Sequence, residues 1–408
     1  MHTNSHAEVR ADRLSQVKPS ASIAAKARAD AMRAAGREVI DFTVGEPDFP
    51  TPKHIIAAGV EALQSGHTRY TASAGTPQLR AAIVRKLDRE NGLSYELADI
   101  VVGCGAKQII FNALMATLNE GDEVIVPAPY WVSYPEMVLI NGGVPRVVHC
   151  GADVGFKLSA DALEKSITPK TKWLILNSPN NPTGAVYGEK ELQALGDVLR
   201  KHPHVLVMTD EIYEHFVYDQ TKYCSLLTAV PDLKDRTLLI NGLSKSHAMT
   251  GWRIGYGAGP AALIKPIVLL ITQSTTCASA SAQAAASAAL DGPYQCVKDA
   301  AAVFETRRNQ MVERLNAIDG FKSDRPAGAF YVFASVEGLI GRSTRAGKCL
   351  NSDIDVAEYL REEGGVVTVD GTSYGLPSFI RLSFATSLSE IDRGCDAIAA
   401  AVAQLNAT

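Results

Sequence analysis

Apolar positions along this chain fall into short runs separated by helical spacing. Between Ile100 and Ala258 the runs are Ile100-Val101-Val102, Val124-Ile125-Val126, Val147-Val148, Trp173-Leu174-Ile175-Leu176, Val205-Leu206-Val207-Met208, Leu238-Leu239-Ile240 and Ile254 to Ala258. They are near-continuous rather than alternating, which predicts strands covered on both faces. Helical patterns lie between them, at Ile109 to Leu118, Ser133 to Asn141, Asp161 to Ser166 and Glu189 to Lys201. Strands alternating with helices in this way predict an α/β domain on a mostly parallel sheet.

The flanks read differently. Ser22 to Ala35 has helical spacing with Gly36 as its stop, and Val39 to Phe42 is a short strand. Pro47, Pro50 and Pro52 then forbid a helix before Lys53. Lys53 to Gln64 is an amphipathic helix, and Pro77 to Asn91 resumes helical periodicity from an N-terminal proline. Beyond the sheet, Ala261 to Leu290 is Ala/Ser-rich and helical, and a long helix from Val297 to Ala317 leads to a smaller α+β unit. That unit holds two strand-like segments with period-two alternation, Gly328 to Phe333 and Phe379 to Phe384. No internal repeat or low-complexity tract is visible.

A chain of 408 residues, 46% hydrophobic and 21% charged, predicts a soluble globular protein of two to three domain-sized units. The net charge of −4 gives no electrostatic reason to expect nucleic acid or an anionic membrane. No apolar run reaches membrane-span length, and Met1 to Arg13 lacks the apolar core of a signal peptide, so a cytoplasmic home is expected. Seven cysteines without a CxxC pair argue for reduced thiols and against a disulfide framework or structural zinc.

Candidate chemistry gathers just after the strands, the edge at which open α/β sheets bind ligands. Lys245 lies among small residues after Thr237 to Ile240, and Arg253 follows eight residues on. Alone, the lysine reads as a strand-end side chain facing solvent. The spacing of small residues, lysine and arginine favours instead a desolvated amine beside a phosphate-binding guanidinium. Asp210 ends the run Val205 to Thr209 and reads either as a helix N-cap or as an acid for a ligand nitrogen. Trp131 reads as core or as a stacking surface, and Asn181 as part of a stiff turn or as a ligand donor. Gly103-Cys104-Gly105-Ala106-Lys107 joins a strand to a helix, an arrangement that aims free N–H groups at an anion. Arg381 stands mid-strand between apolar neighbours with no acid near it in sequence.

The stretch Gly242-Leu243-Ser244-Lys245, with Ala248-Met249 and Gly251-Trp252-Arg253-Ile254-Gly255, resembles the pyridoxal-phosphate attachment site of class I aminotransferases, in the bacterial aspartate aminotransferase branch. The resemblance runs from about Val17 to about Ala399. It implies fold type I of the pyridoxal-phosphate transferases: a large domain with a mostly parallel seven-stranded sheet flanked by helices, plus a smaller α+β domain. The divisions it implies are a flexible arm over 1–16, an N-terminal part of the small domain over 17–52, a large cofactor-binding domain over 53–300 and the rest of the small domain over 301–408.

The implied cofactor is pyridoxal 5'-phosphate, which needs an amine, an acid for its ring nitrogen, phosphate donors and a stacking surface. The resemblance gives Lys245 the aldehyde and the later proton transfer at Cα, Asp210 the ring nitrogen, and Tyr213 and Asn181 the phenolic oxygen. It gives Trp131 the ring face, and Gly105, Ala106, Lys107, Ser244 and Arg253 the phosphate, with Tyr70 reaching in from the partner of a homodimer whose active sites lie at the subunit interface. Arg381 would take the substrate α-carboxylate and Gly45 a backbone contact to the same molecule. Glu211 would face away.

The implied substrates are small amino acids and 2-oxo acids: L-aspartate with 2-oxoglutarate, giving oxaloacetate and L-glutamate by ping-pong exchange. Ser20, Ser22 and Lys107 occupy the family's positions for a distal carboxylate, and Lys18 matches a lysine linked in some relatives to prephenate. Two departures bear on range: Cys104 stands where a small residue is usual, and Val369-Asp370-Gly371 replaces a more apolar segment. The alternatives are a prephenate, aromatic or alanine aminotransferase, a lyase or aminocyclopropane-type synthase on the same scaffold, and a non-catalytic binding protein that keeps the fold.

Overall fold

A computed structural model describes residues 11–406. The strands are β1 (Ile40–Asp41), β2 (Ile100–Cys104), β3 (Glu123–Ala128), β4 (Val144–His149), β5 (Thr171–Asn177), β6 (Leu206–Asp210), β7 (Thr237–Gly242), β8 (Ile254–Ala258), β9 (Tyr331–Ser335), β10 (Val366–Val367), β11 (Val369–Asp370) and β12 (Phe379–Ser383). Seven of them form one sheet in the order β2-β8-β7-β6-β5-β3-β4. All run parallel except β8, which is antiparallel to both of its neighbours. The expected mostly parallel sheet is therefore present, with its one reversed strand next to the lysine-bearing loop.

Continuous apolar runs are explained by two cores, one on each face. Leu174 and Leu176 of β5 pack with the helices Pro77–Asn91, Glu189–Lys201 and Ala280–Asp291. Trp173 and Ile175 of the same strand point the other way, toward Ala106–Thr117, Ser133–Ile140 and Ala261–Gln273. Successive side chains alternate between faces, so a strand buried on both must be apolar throughout. Each such Leu or Ile contributes about 1.5–3 kcal/mol of burial. The exception is β4, an edge strand whose side chains are exposed or half-exposed, so its run Val147-Val148 does not mark a doubly covered strand.

Three expectations need adjustment. The helical stretch Ala261 to Leu290 is two helices, Ala261–Gln273 and Ala280–Asp291, broken where Thr276 takes φ +66. Serine and threonines there favour local turns over helix, which accounts for the break. β9 and β12 are buried nearly end to end rather than alternately, because apolar groups cover both sides of them. Of the arm expected over 1–16, residues 1–10 lie outside the described part, and Asp12–Leu14 form a short 3₁₀ turn.

A third core gathers Phe304, Phe330, Val332, Ile380, Leu382 and Ile398 around the antiparallel sheet β11-β12-β9. It also takes in Tyr213 and Phe216, which follow β6, so apolar contact joins it to the site edge of the large sheet. Ile40 of β1 pairs in parallel with Val366 of β10. The helix Ala21–Ala34 packs Ala25, Ala29 and Met32 with Val132, Phe333, Val367 and Tyr374. Among the described residues no helix is long and apolar enough to cross a membrane, and all seven cysteines are free thiols.

Behind β7 lies a buried polar knot. Lys86, 1% exposed, pairs with Glu214 and donates to Asn91 Oδ1 at 2.8 Å. Glu214 also accepts from Asn91 Nδ2 (2.8 Å) and from Asn241 Nδ2 of β7 (2.6 Å). Burial would raise the Glu214 pKa, but the Lys86 charge and these donors hold it below its ordinary value. The knot pins the helix Pro77–Asn91 to the strand that leads into Lys245. Lys86→Met should strand a buried carboxylate and cost about 3–5 kcal/mol in a urea unfolding experiment; a loss under about 1 kcal/mol would show the pair to be dispensable.

Candidate active site

The carboxyl ends of the parallel strands and one small-unit strand converge on a cavity of about 380 Å³. β6 ends in Asp210, β7 leads into Ser244 and Lys245, and β2 runs into the turn Gly105-Ala106-Lys107. β3 and β5 open onto Trp131 and Asn181. Because β8 is reversed, Arg253 at its start lies at this same edge, with Ile254 opposite Cys104 and Gly255 opposite Gly242. A side chain at Gly255 would collide with the Ala106 amide, so only glycine lets the turn close against β8. Gly105 takes φ +85, and a side chain there would strike the Arg253 guanidinium.

Lys245 donates from Nζ to the Gly45 carbonyl oxygen at 2.5 Å and lies 5.9 Å from the Tyr213 ring centroid. Burial brings its pKa down to about 8, helped by Arg253 and Arg381 and opposed by Glu46 and Asp210. Asp210 is buried, and burial pushes its pKa up to about 6. Its charge is supported by the Tyr134 hydroxyl, which donates to Oδ2 at 2.7 Å, and by the Ile212 N–H, which donates to Oδ1 at 3.2 Å. No helix begins at Asp210, since residues 212–215 form a turn, so the helix-cap reading falls.

Arg381, 2% exposed, donates to Asn181 Oδ1 (3.2 Å) and to the Thr43 carbonyl oxygen (2.6 Å). Among the described residues its Nε has no partner, and its guanidinium sits 4.5 Å from the Tyr331 ring centroid and 5.3 Å from that of Tyr374. The Tyr213 and Tyr331 hydroxyls are 2.8 Å apart. Lys107 donates to Ser133 Oγ (3.2 Å), with its Nζ 4.6 Å from the Trp131 ring centroid. Arg253 donates to the carbonyls of Thr250 (2.8 Å) and Cys104 (3.3 Å).

Ser22, Gly45, Ala106, Lys107, Trp131, Asn181, Asp210, Tyr213, Ser244, Lys245, Arg253 and Arg381 all line the one cavity. Tyr70 does not; it is 87% exposed. Lys18 and Ser20 do not line it either: the Lys18 backbone N–H donates to Glu136 Oε2 (2.7 Å), and Ser20 precedes the helix Ala21–Ala34. Glu211 is buried away from the cavity, accepting from Thr209 and Ser225 hydroxyls, with burial raising its pKa to about 7. Asp370 accepts from the Ser373 N–H and hydroxyl, so this departure makes a local turn.

Sequence reasoning missed Tyr134, Tyr331, Lys26 and Glu46, all of which line the cavity. Tyr134 sits in the helical pattern from Ser133 and Tyr331 in a strand, where an aromatic reads as core. The proline-rich run Gly45 to Pro52 offered a signal for Glu46, since a polar residue in a stiffened loop is presented at a fixed place.

The residues suit pyridoxal phosphate on three observations. A buried carboxylate with a raised pKa calls for a cationic partner. Among the described residues the buried Arg381 guanidinium keeps an unpaired Nε, although the side chain lines the cavity beside Tyr331. Beside Arg253, where only glycine fits, the turn leads into the helix Ala106–Thr117, whose first-turn N–H groups have no acceptor within the helix.

The family described as aminotransferase class I and II matches residues 37–398. An aspartate aminotransferase of Rhizobium meliloti is 48% identical over 396 residues, 97% of each chain. A probable aspartate/prephenate aminotransferase of Rhizobium leguminosarum bv. phaseoli is 50% identical, over 94% of this chain and 96% of its own. The crystal structure of the Rhizobium meliloti aspartate aminotransferase superposes with a TM-score of 0.95 at 46% identity, over 97% of this chain and 99% of that one. The Thermus thermophilus aspartate aminotransferase with maleate gives 0.90 at 39% identity, over 96% and 99%. With its sheet order, its strand-end lysine and these likenesses, the chain belongs to the class I and II aminotransferases, enzymes that use pyridoxal 5'-phosphate.

Proposed function

We propose that this aminotransferase exchanges the amino group of L-aspartate with 2-oxoglutarate, yielding oxaloacetate and L-glutamate. One observation carries the reading: Lys245, Asp210 and Arg381, far apart in sequence, line a single cavity. When bound, pyridoxal phosphate supplies an aldehyde that takes up an amino group and a ring that spreads the electron pair left at Cα. The rest is done by the chain.

Lys245 would hold the cofactor through its amine, and the same amine would move the proton at Cα. Its pKa of about 8 keeps a useful fraction of free amine near neutrality. Asp210, backed by Tyr134, holds the proton on the ring nitrogen. Tyr213 and Asn181 would bond the phenolic oxygen, and Trp131 would give the ring its stacking surface. Gly105, Ala106, Lys107, Ser244 and Arg253 grip the phosphate. Arg381 takes the α-carboxylate through its guanidinium donors, and Gly45 gives a backbone contact to the same substrate.

Lys107 with Ser22 reads the distal carboxylate; Ser20, expected beside them, lies outside the cavity lining. The enzyme works as a cytoplasmic homodimer, in which the exposed Tyr70 reaches a second copy's site. Residues 17–52 and 301–408 form the small domain that closes on substrate, 53–300 the large one, and 1–16 the arm. A second reading, prephenate as amino acceptor, is supported by the names of relatives.

A half-reaction panel tests the substrate. The cofactor spectrum should shift rapidly with aspartate and glutamate, and far more slowly with alanine, phenylalanine or arogenate. Failure with both dicarboxylates would refute the reading; fast reaction with arogenate would favour the second. Arg381→Ala should raise KM and lower kcat for every amino acid, with kcat/KM down at least about a hundredfold. The free amine is the form that condenses with the aldehyde, and folding lowers the Lys245 pKa from 10.5 to about 8. Cofactor uptake by the stripped protein should therefore speed up as pH rises toward 8 and level off above it. A rate still climbing past pH 10 would contradict this.

A further inference from the structure

Five cationic side chains line the cavity, and four have a part in the reading above: Lys245, Arg253, Arg381 and Lys107. The fifth is Lys26. It lies four residues beyond Ser22 on the helix Ala21–Ala34, so both project from one face, about 6 Å apart along the axis. Among the described residues its partner is Asp30, with Nζ 3.1 Å from Oδ2 and both side chains more than half exposed. Exposed i,i+4 pairs are among the weakest ion pairs, and Asp30 is also held by Arg33 Nη1 at 3.0 Å. Asp30 therefore keeps a cation when Lys26 swings away.

Lys107 is tethered differently. Its ammonium is bonded to Ser133 Oγ and lies over the Trp131 ring, which fixes its reach. A fixed cation suits one chain length of dicarboxylate. A second, loosely held cation on a flexible four-carbon stem can meet a carboxylate set further from Arg381.

We propose that Lys26 is a specificity-determining residue: it leaves Asp30 to take the distal carboxylate of the five-carbon pair, glutamate and 2-oxoglutarate, whereas Lys107 serves the four-carbon pair. The proposal rests on the dicarboxylate reading of the site. It gives one cavity a means of accepting two chain lengths, as both halves of the exchange require. The helix that carries Lys26 is anchored by Ala25, Ala29 and Met32 in a core shared with Val132 and Phe333, so the swing needs only the side chain.

The test compares the holoenzyme with its Lys26→Met variant, which keeps the apolar stem. Binding of glutarate and succinate, unreactive five- and four-carbon dicarboxylates, is measured by calorimetry, and KM is measured for glutamate and aspartate. Lys26→Met should weaken glutarate and raise the glutamate KM about fivefold, leaving succinate and aspartate within about twofold and kcat unchanged. Lys26→Arg should restore the wild-type ratio, and Asp30→Asn should hold or tighten glutarate binding. Equal affinities in wild type and Lys26→Met, equal losses on both chain lengths, or weaker glutarate binding in Asp30→Asn would overturn the proposal. Failure of the dicarboxylate reading itself is distinct: the wild-type enzyme would then turn over neither aspartate nor glutamate.

Discussion

The structure depends on taking an amine and a carboxylate out of water at the same strand edge. Neither charge is welcome there: burial lowers the Lys245 pKa to about 8 and raises that of Asp210 to about 6. Each pull moves its group toward neutrality near physiological pH, so each is poised to change partner or proton state. A solvated lysine would stay protonated and idle. The surrounding fold supplies the desolvation, since β6 and β7 are central strands with apolar cores on both faces.

Holding that edge in place takes three kinds of constraint. Close backbone contact sets the anion-binding turn, because Gly255 allows the Ala106 amide to lie against β8. Strand reversal brings Arg253 back to the edge that Lys245 has just left. Beneath both, the Lys86–Glu214–Asn241 knot fixes the end of β7 from behind. On the other side of the cavity, Arg381 belongs to a different sheet and is gripped by Thr43, Asn181 and two tyrosine rings. Any relative movement of the two sheets changes the distance between Arg381 and Lys245, which ties the grip on a carboxylate to the position of the amine.

Much of this is legible in the amino-acid sequence. The seven continuous apolar runs correspond to the seven strands of the sheet, and the residues that follow them gather at one cavity because parallel strands present their carboxyl ends together. Helices Lys53–Gln64, Pro77–Asn91 and Glu189–Lys201 begin and end where proline, glycine and apolar spacing place them. What was not legible depends on contacts between distant segments. Tyr134 is indistinguishable in sequence from a core aromatic until its hydroxyl is found on Asp210. The reversal of β8 leaves no mark in the composition of Ile254 to Ala258. Lys26 reads as a surface helix residue, which it also is, until the helix is seen to border the cavity.

A covalent bond between Lys245 and the cofactor can be read by chemical trapping. The native holoenzyme should be reduced with borohydride, digested, and its peptides mapped by mass spectrometry. A pyridoxyl group of one per chain on Lys245, absent from Lys107 and Lys26, is the predicted result. A label on another lysine, or none at all, would contradict the account of how this edge is built and used.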